Sequence, residues 1–215
     1  LEPAVFEEGA DGASPGTEPG AMTGGPTSNP ISNPAGITAT GYLSLLRALK
    51  AAGVLDESGL FVRRKEAPPL AGKVGAPDAD GPEPRLRLPG KMALFASDVE
   101  EILKVKAAFT VAVSSLLGAA GLGASGLRAV FLAGALGSHA PLAALVDLGF
   151  LPQAAGGKTR AAGNTGRDGA GLFLTHPAAR ETCAAWAPRV VTLDLASDPA
   201  FGETYARHMV FRWRP

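Results

Sequence analysis

Cysteine is almost missing: Cys183 is the only one in 215 residues. One thiol cannot close an internal disulfide, and one thiolate cannot hold an iron–sulfur cluster or a structural zinc. A reducing, cytoplasmic setting is the expectation, with no metal site. Net charge is missing too, since Lys+Arg and Asp+Glu both number 20. That balance gives no electrostatic reason to expect nucleic acid or an acidic membrane surface as partner. No run of about 18 apolar residues free of charge appears, and the first residues lack the basic-then-apolar order of a signal peptide. The chain opens on Leu1 rather than Met and reads as a piece of a longer polypeptide.

Hydrophobic residues make up 46% of the chain, enough for a sizeable core. Residues 1–36 are rich in Gly, Pro, Ser and Asn without sustained periodicity and read as loop. Tyr42, Leu45, Leu46 and Leu49 then recur at helical spacing, with Gly53 as a stop, predicting a helix over 41–52. Residues 54–61 read as a tight turn into a brief strand. Residues 64–90 combine charge with many Pro and Gly residues and read as a surface insertion or flexible loop. Residues 91–95 resume as a strand. Ser97-Asp98-Val99-Glu100 reads as a Ser-x-x-Glu capping box for a long helix whose apolar stripe runs through Ile102, Val105, Phe109, Val113, Leu116 and Leu117 and which ends near Gly121.

The segment from Arg128 to Gly137 is the most informative. An apolar run breaks into small residues at Ala133-Gly134-Ala135-Leu136-Gly137, ahead of Ser138-His139. A buried strand that ends in glycine lets backbone approach a ligand closely. Helices are expected over about 140–148, 166–175 and 177–186, the last opened by Pro177. Residues 189–195 have the β-branched composition of a strand, and 199–212 read as helical. Strands and helices alternate, which favours an α/β fold with helices flanking a sheet.

The order of motifs resembles the actin-like ATPase domain of the ferredoxin-type reductive activators of corrinoid proteins. Pro3-Ala4-Val5-Phe6-Glu7-Glu8-Gly9 resembles the family's Pro-Ala-Phe-Glu-Gly, and Pro19-Gly20-Ala21-Met22 its Pro-Gly-Ala-Ile. Ala35-Gly36-Ile37-Thr38-Ala39-Thr40-Gly41 is similar to the Gly-Ile-Cys-Gly-Ser-Gly turn, with Gly53-Val54-Leu55-Asp56 following. Asp98 and Lys106 fit the Asp-(x)n-Lys-Ala-Ala helix, and Ala133 to Gly137 stand where the family has Ala-Gly-Gly-Phe-Gly. Gly149-Phe150-Leu151-Pro152 resembles Gly-Leu-Leu-Pro, Gly163-Asn164-Thr165 resembles Gly-Asn-Thr-Ala-Leu, and Phe201, Glu203, Met209 and Phe211 fit the family's end.

The resemblance implies an α/β, ribonuclease-H-like or actin-like ATPase subdomain, a mixed sheet flanked by helices and incomplete at its N-terminus. All 215 residues would then be the C-terminal portion of one such domain. It implies ATP with Mg²⁺ shared with an upstream segment, and a [2Fe-2S] cluster carried only by the full-length protein of an anaerobe. The implied reaction is ATP-dependent reduction of corrinoid cobalt from Co(II) to Co(I) for methyl transfer. The implied partner is a corrinoid protein or methyltransferase complex, with a homodimer left open. The family's phosphate-side Asp-Ile-Gly-Thr-Asn motif lies upstream of the matched segment, so this chain alone is expected neither to hydrolyse ATP nor to carry electrons.

Each candidate nucleotide-contacting group has a plainer alternative. Gly134, Ala135 and Gly137 form either an adenosine-side wall or a simple strand-to-helix turn, and the Ala135 Cβ narrows the approach. Gly36, Thr38, Thr40 and Gly41 open a helix where free amides favour an anion, though Thr40 also fits an ordinary N-cap. Gly163 and Asn164 have the same ambiguity. Asp98 is expected to serve the helix dipole. Lys106 is read as a snorkelling side chain on the long helix, with phosphate contact as the alternative. His139 follows the glycines without an identifiable acid–base partner, so no catalytic residue can be assigned. His176 and His208 are expected at the surface, and Cys183 packed on a helix. Ala39 and Ala135, where the family has glycines, favour a second reading, a non-catalytic protein-interaction module on a degenerate actin-like fold. A sugar-kinase-like phosphotransferase lacks a catalytic Asp in suitable context.

Overall fold

The computed structural model describes residues 5–6, 36–63 and 77–214. Strand β1 (Val5–Phe6) pairs antiparallel with β2 (Gly36–Ile37), Val5 opposite Ile37. The other residues of the Pro3-to-Gly9 and Pro19-to-Met22 motifs lie outside the described residues. Helix α1 (Ala39–Ala51) turns Leu43, Leu46 and Leu49 into the core, while Tyr42 and Leu45, read from the sequence as part of the same face, are only partly buried. Gly53 follows at φ 68, the left-handed geometry of a helix stop. The turn after it closes through a Leu55–Phe61 bridge, as expected for 54–61.

Strand β3 (Arg85–Arg87) pairs antiparallel with β4 (Ala93–Phe95). Leu86 is fully buried and Leu88 nearly so, which corrects the expectation that 64–90 is a surface excursion throughout. Alternation of Leu86 and Leu88 with Arg85 and Arg87 is a strand signal that the surrounding Pro and Gly residues obscure. Residues 64–76 lie outside the described residues.

Helix α2 (Ala96–Ala119) sends Val99, Leu103, Ala107 and Val111 into the same core. Its start differs from the expected Ser97 capping box. Asp98 Oδ2 accepts from the Phe95 amide at 2.9 Å, so the carboxylate satisfies an orphan donor at the helix entry. By length and composition α2 is apolar enough to cross a bilayer; in this fold its inner stripe packs on the core and its N-terminal half carries Glu100, Glu101, Lys104 and Lys106.

Strand β5 (Val130–Leu132) pairs in parallel with β6 (Thr159–Ala161), Phe131 opposite Arg160. Between them lie α3 (Gly134–His139) and α4 (Leu142–Asp147). After β6 come α5 (Thr165–Thr175), α6 (Pro177–Trp186) and α7 (Phe201–Arg207). Among the described residues the strands form three two-stranded pairs, two antiparallel and one parallel, with helices around them.

Residues 190–195 form no ladder with any described strand, although their composition reads as a strand. Val190 and Val191 are 71% and 81% exposed. β-propensity measures fit to a pleated, half-buried surface, and no such surface meets this segment among the described residues. The closing helix is also shorter than 199–212, ending at Arg207 before a non-helical strap whose Phe211 is fully buried.

Candidate functional site

Two strand-to-helix turns sit side by side at the carboxyl ends of the parallel pair. β5 leaves Leu132 through Ala133 into Gly134, which begins α3; β6 leaves Ala161 through Gly163 into Asn164, which caps α5. Gly134 has φ 86 and Gly163 φ 72, so both occupy the left-handed region that favours glycine. The Gly134 amide donates to the Gly163 carbonyl at 2.9 Å, joining the two turns. Parallel sheets place ligands in the crevice beyond such strand ends.

The surface at these turns is open. A Cβ built on Gly134 or on Gly163 meets nothing within 4 Å. Both glycines therefore serve backbone conformation and leave space above them. Gly137 is different: a Cβ there lies 3.1 Å from the Leu132 carbonyl carbon and 3.2 Å from the Leu132 Cβ. It permits α3 to fold back against the end of β5. A Gly137→Val substitution is expected to push α3 off β5 and lower stability by roughly 1–3 kcal/mol, the range for overpacking; chemical denaturation of the variant measures this.

The α5 entry is a helix start with spare donors. Asn164 Oδ1 accepts from Arg167 N at 3.2 Å, and Asp168 N reaches the Asn164 carbonyl. The Thr165 and Gly166 amides have no acceptor among the described residues. Exposed amides at a helix start favour an anion. The candidates around Gly134 and Gly163 are thus brought together, with Gly134, Gly137, Gly163 and Asn164 on two adjoining turns. The side chain of Ala135 is not among those described, so the expectation that its Cβ narrows the approach lies outside them.

The Gly36–Gly41 cluster forms its own helix entry. Thr38, rather than Thr40, is the N-cap: its Oγ1 accepts from Gly41 N at 3.0 Å. Thr40 Oγ1 lies 3.1 Å from Thr38 Oγ1. Gly36 has open space above it, Gly41 is buried, and α1 lies against α3 and α4. His139 is exposed at the end of α3. His176 and Cys183 are exposed as well, so Cys183 is not packed away. Among the described residues no group of three or more His, Cys, Asp or Glu side chains could hold a metal ion.

Lys106 and His208 correct the sequence reading. Lys106 neither snorkels to solvent nor faces the glycine turns: it is fully buried, donating from Nζ to the Arg212 carbonyl at 2.7 Å and the His208 carbonyl at 3.1 Å. Burial, with the Arg214 and Lys50 charges adding to it, pushes its pKa down to about 8. His208 is buried rather than at the surface, and its Nδ1 has no hydrogen-bond partner among the described residues. Burial first, then the Lys106, Arg207 and Arg214 charges, lower its pKa. Lys50 contributes a second anchor, donating to the Phe211 and Asp147 carbonyls. Two lysines from two helices thus hold the closing strap by its carbonyl oxygens, a structural role that spacing along the sequence does not reveal.

Comparison with known proteins identifies the family and the fold. A family model described as the C-terminal domain of RACo, the ASKHA domain, matches residues 13–214. The corrinoid activation enzyme RamQ of Eubacterium limosum is 26% identical over 185 residues, covering 82% of this chain and 31% of RamQ. A solved reductive activator for corrinoid, iron-sulfur protein has a TM-score of 0.67 at 24% identity, covering 83% of this chain and 29% of the other. The chain spans about a third of the length of either relative.

Proposed function

Since the chain belongs to the family of the C-terminal ASKHA domain of RACo, we propose that it is one part of an ATP-dependent reductive activator that returns corrinoid cobalt from Co(II) to Co(I) for methyl transfer. The observation that carries the reading is the family match over residues 13–214, supported by the hydrogen bond that joins the Gly134 and Gly163 turns. The naming of RamQ as a corrinoid activation enzyme supports the same direction.

In this reading the nucleotide lies over the paired turns. Gly134 and Gly163 supply backbone without a side chain, and the spare Thr165 and Gly166 amides face negative charge at the start of α5. ATP, when bound, supplies the free energy for a cobalt reduction that ordinary cellular donors do not complete. A [2Fe-2S] cluster does not fit this chain, which has only the exposed Cys183; electron delivery belongs to another part of the full-length protein. Mg²⁺ has no carboxylate set here and would draw on groups outside the described residues. The partner is a corrinoid protein, within a methyltransferase complex, in a reducing cytoplasm.

The test is spectroscopic. Full-length protein, reduced and mixed with a Co(II) corrinoid protein, is expected to give the Co(I) absorption only when Mg-ATP is added. Reduction that proceeds equally without nucleotide would contradict the ATP dependence. If neither nucleotide nor corrinoid protein has an effect, a non-catalytic interaction module becomes the better account.

A further inference from the structure

Residues 190–195 present a β-strand without a sheet. Val190, Val191 and Thr192 are β-branched, and Gly, Pro and Asn are absent from the segment. Val191, Leu193 and Leu195 alternate with Thr192 and Asp194, the pattern of a strand with one face buried. Val190 is extended at φ −74, ψ 124. From 191 to 195 no backbone amide donates to any described residue. At the end of the helix before the segment, Trp186 is 65% exposed. An exposed apolar segment of this kind, following a helical pair and carrying backbone donors that are unpaired among the described residues, is what an unfilled edge looks like.

We propose that residues 191–195 are a β-strand that adds to the edge of a sheet formed by sequence of the same polypeptide outside residues 1–215. The inference rests on the reading that the chain is one part of a longer activator. Its support is the span of the relatives, of which this chain covers 31% and 29%, and the lack of a pairing edge for this segment among the described strands. A partner in the same polypeptide is preferred over a second copy because a covalent link holds its edge at an effective concentration in the millimolar range. Main-chain hydrogen bonds would give the affinity, and Val191, Leu193 and Leu195 would face the apolar side of the extended sheet.

Hydrogen exchange separates the outcomes. In full-length protein the amides of 191–195 are expected to exchange about a hundredfold more slowly than in the 215-residue chain alone. Thr192→Pro, which removes one ladder donor, is expected to abolish that protection while amides of α2 remain protected. Equal, fast exchange in both chains would overturn the proposal. So would protection that arises in the 215-residue chain only as its concentration rises, which would make a second copy the partner. None of these readouts involves nucleotide or cobalt, so failure of the strand pairing is distinguishable from failure of the activator reading.

Discussion

Gly149→Val is expected to lower stability by roughly 2–6 kcal/mol. Gly149 has φ 77, and a Cβ built on it lies 2.3 Å from the Arg212 carbonyl carbon and 2.4 Å from the Trp213 amide nitrogen. Both neighbours are backbone, so no side chain can swing away. Left-handed strain contributes about 1–3 kcal/mol, and displacing the closing strap costs roughly a further 1–3 kcal/mol. The strap would not move alone, because Phe211 is fully buried within it and its carbonyls hold Lys50 and Lys106. Against a total of about 5–15 kcal/mol for a domain, that loss is large. Thermal and denaturant unfolding of Gly149→Val and Gly149→Ala measure it, and wild-type stability in both would contradict the close approach.

Lys106→Ala is expected to be comparably damaging. Two terms destabilise and one opposes them. Losing the buried side chain leaves a cavity worth about 2–5 kcal/mol, and orphaning the His208 and Arg212 carbonyls costs roughly 1–3 kcal/mol each. Removing a buried charge whose pKa is pushed down to about 8 returns about 3 kcal/mol. The balance is a net loss of roughly 1–8 kcal/mol, from the same magnitudes. Lys106→Met keeps most of the volume, so it is expected to be far milder.

The same lysine gives the protein a distinctive pH response. Below about 8 both folded and unfolded chains hold the Lys106 proton, and the folded chain bears the full cost of burying it. Between about 8 and the ordinary 10.5 the folded chain releases the proton while the unfolded chain keeps it, so stability rises with pH. Tyr42, raised above its usual 10.0 by burial and by Asp98, works in the opposite direction above pH 10. The window from 8 to 10 is therefore the clean one. At the acid end, His208 has its pKa lowered, so stability falls as pH drops below 6.5. Denaturant midpoints across pH 5–10 are expected to lose the alkaline rise in Lys106→Met.

Helices were legible in the sequence where one face had to be buried. The helical spacing of Leu46 and Leu49 reports directly on the core they enter, but in α2 the stripe read through Val105, Phe109 and Leu116 is exposed, and the core takes Val99, Leu103, Ala107 and Val111 from the neighbouring face. The turns at Gly134 and Gly163 were legible too, because few residues other than glycine tolerate those backbone angles. What the sequence could not show is which turns meet. The bond from Gly134 to Gly163 spans the whole α3–α4 excursion, and parallel pairing of β5 with β6 alone brings its ends together. Lys106 and His208 were misread because a lysine between apolar residues normally keeps its ammonium in water. Here the closing strap supplies carbonyl oxygens from residues about a hundred positions later. Residues 190–195 carry strand composition without a pairing strand among the described residues, so propensity and contact part ways there.

Calorimetric titration of the full-length protein with Mg-ATP, beside a Gly134→Val variant, tests the central claim most directly. The account predicts saturable heat in the parent and at least about tenfold weaker binding in the variant, whose side chain would occupy the open space above the paired turns. Parent binding unchanged by Gly134→Val would move the nucleotide elsewhere. No heat of binding in the parent would contradict the ATP-dependent reading outright.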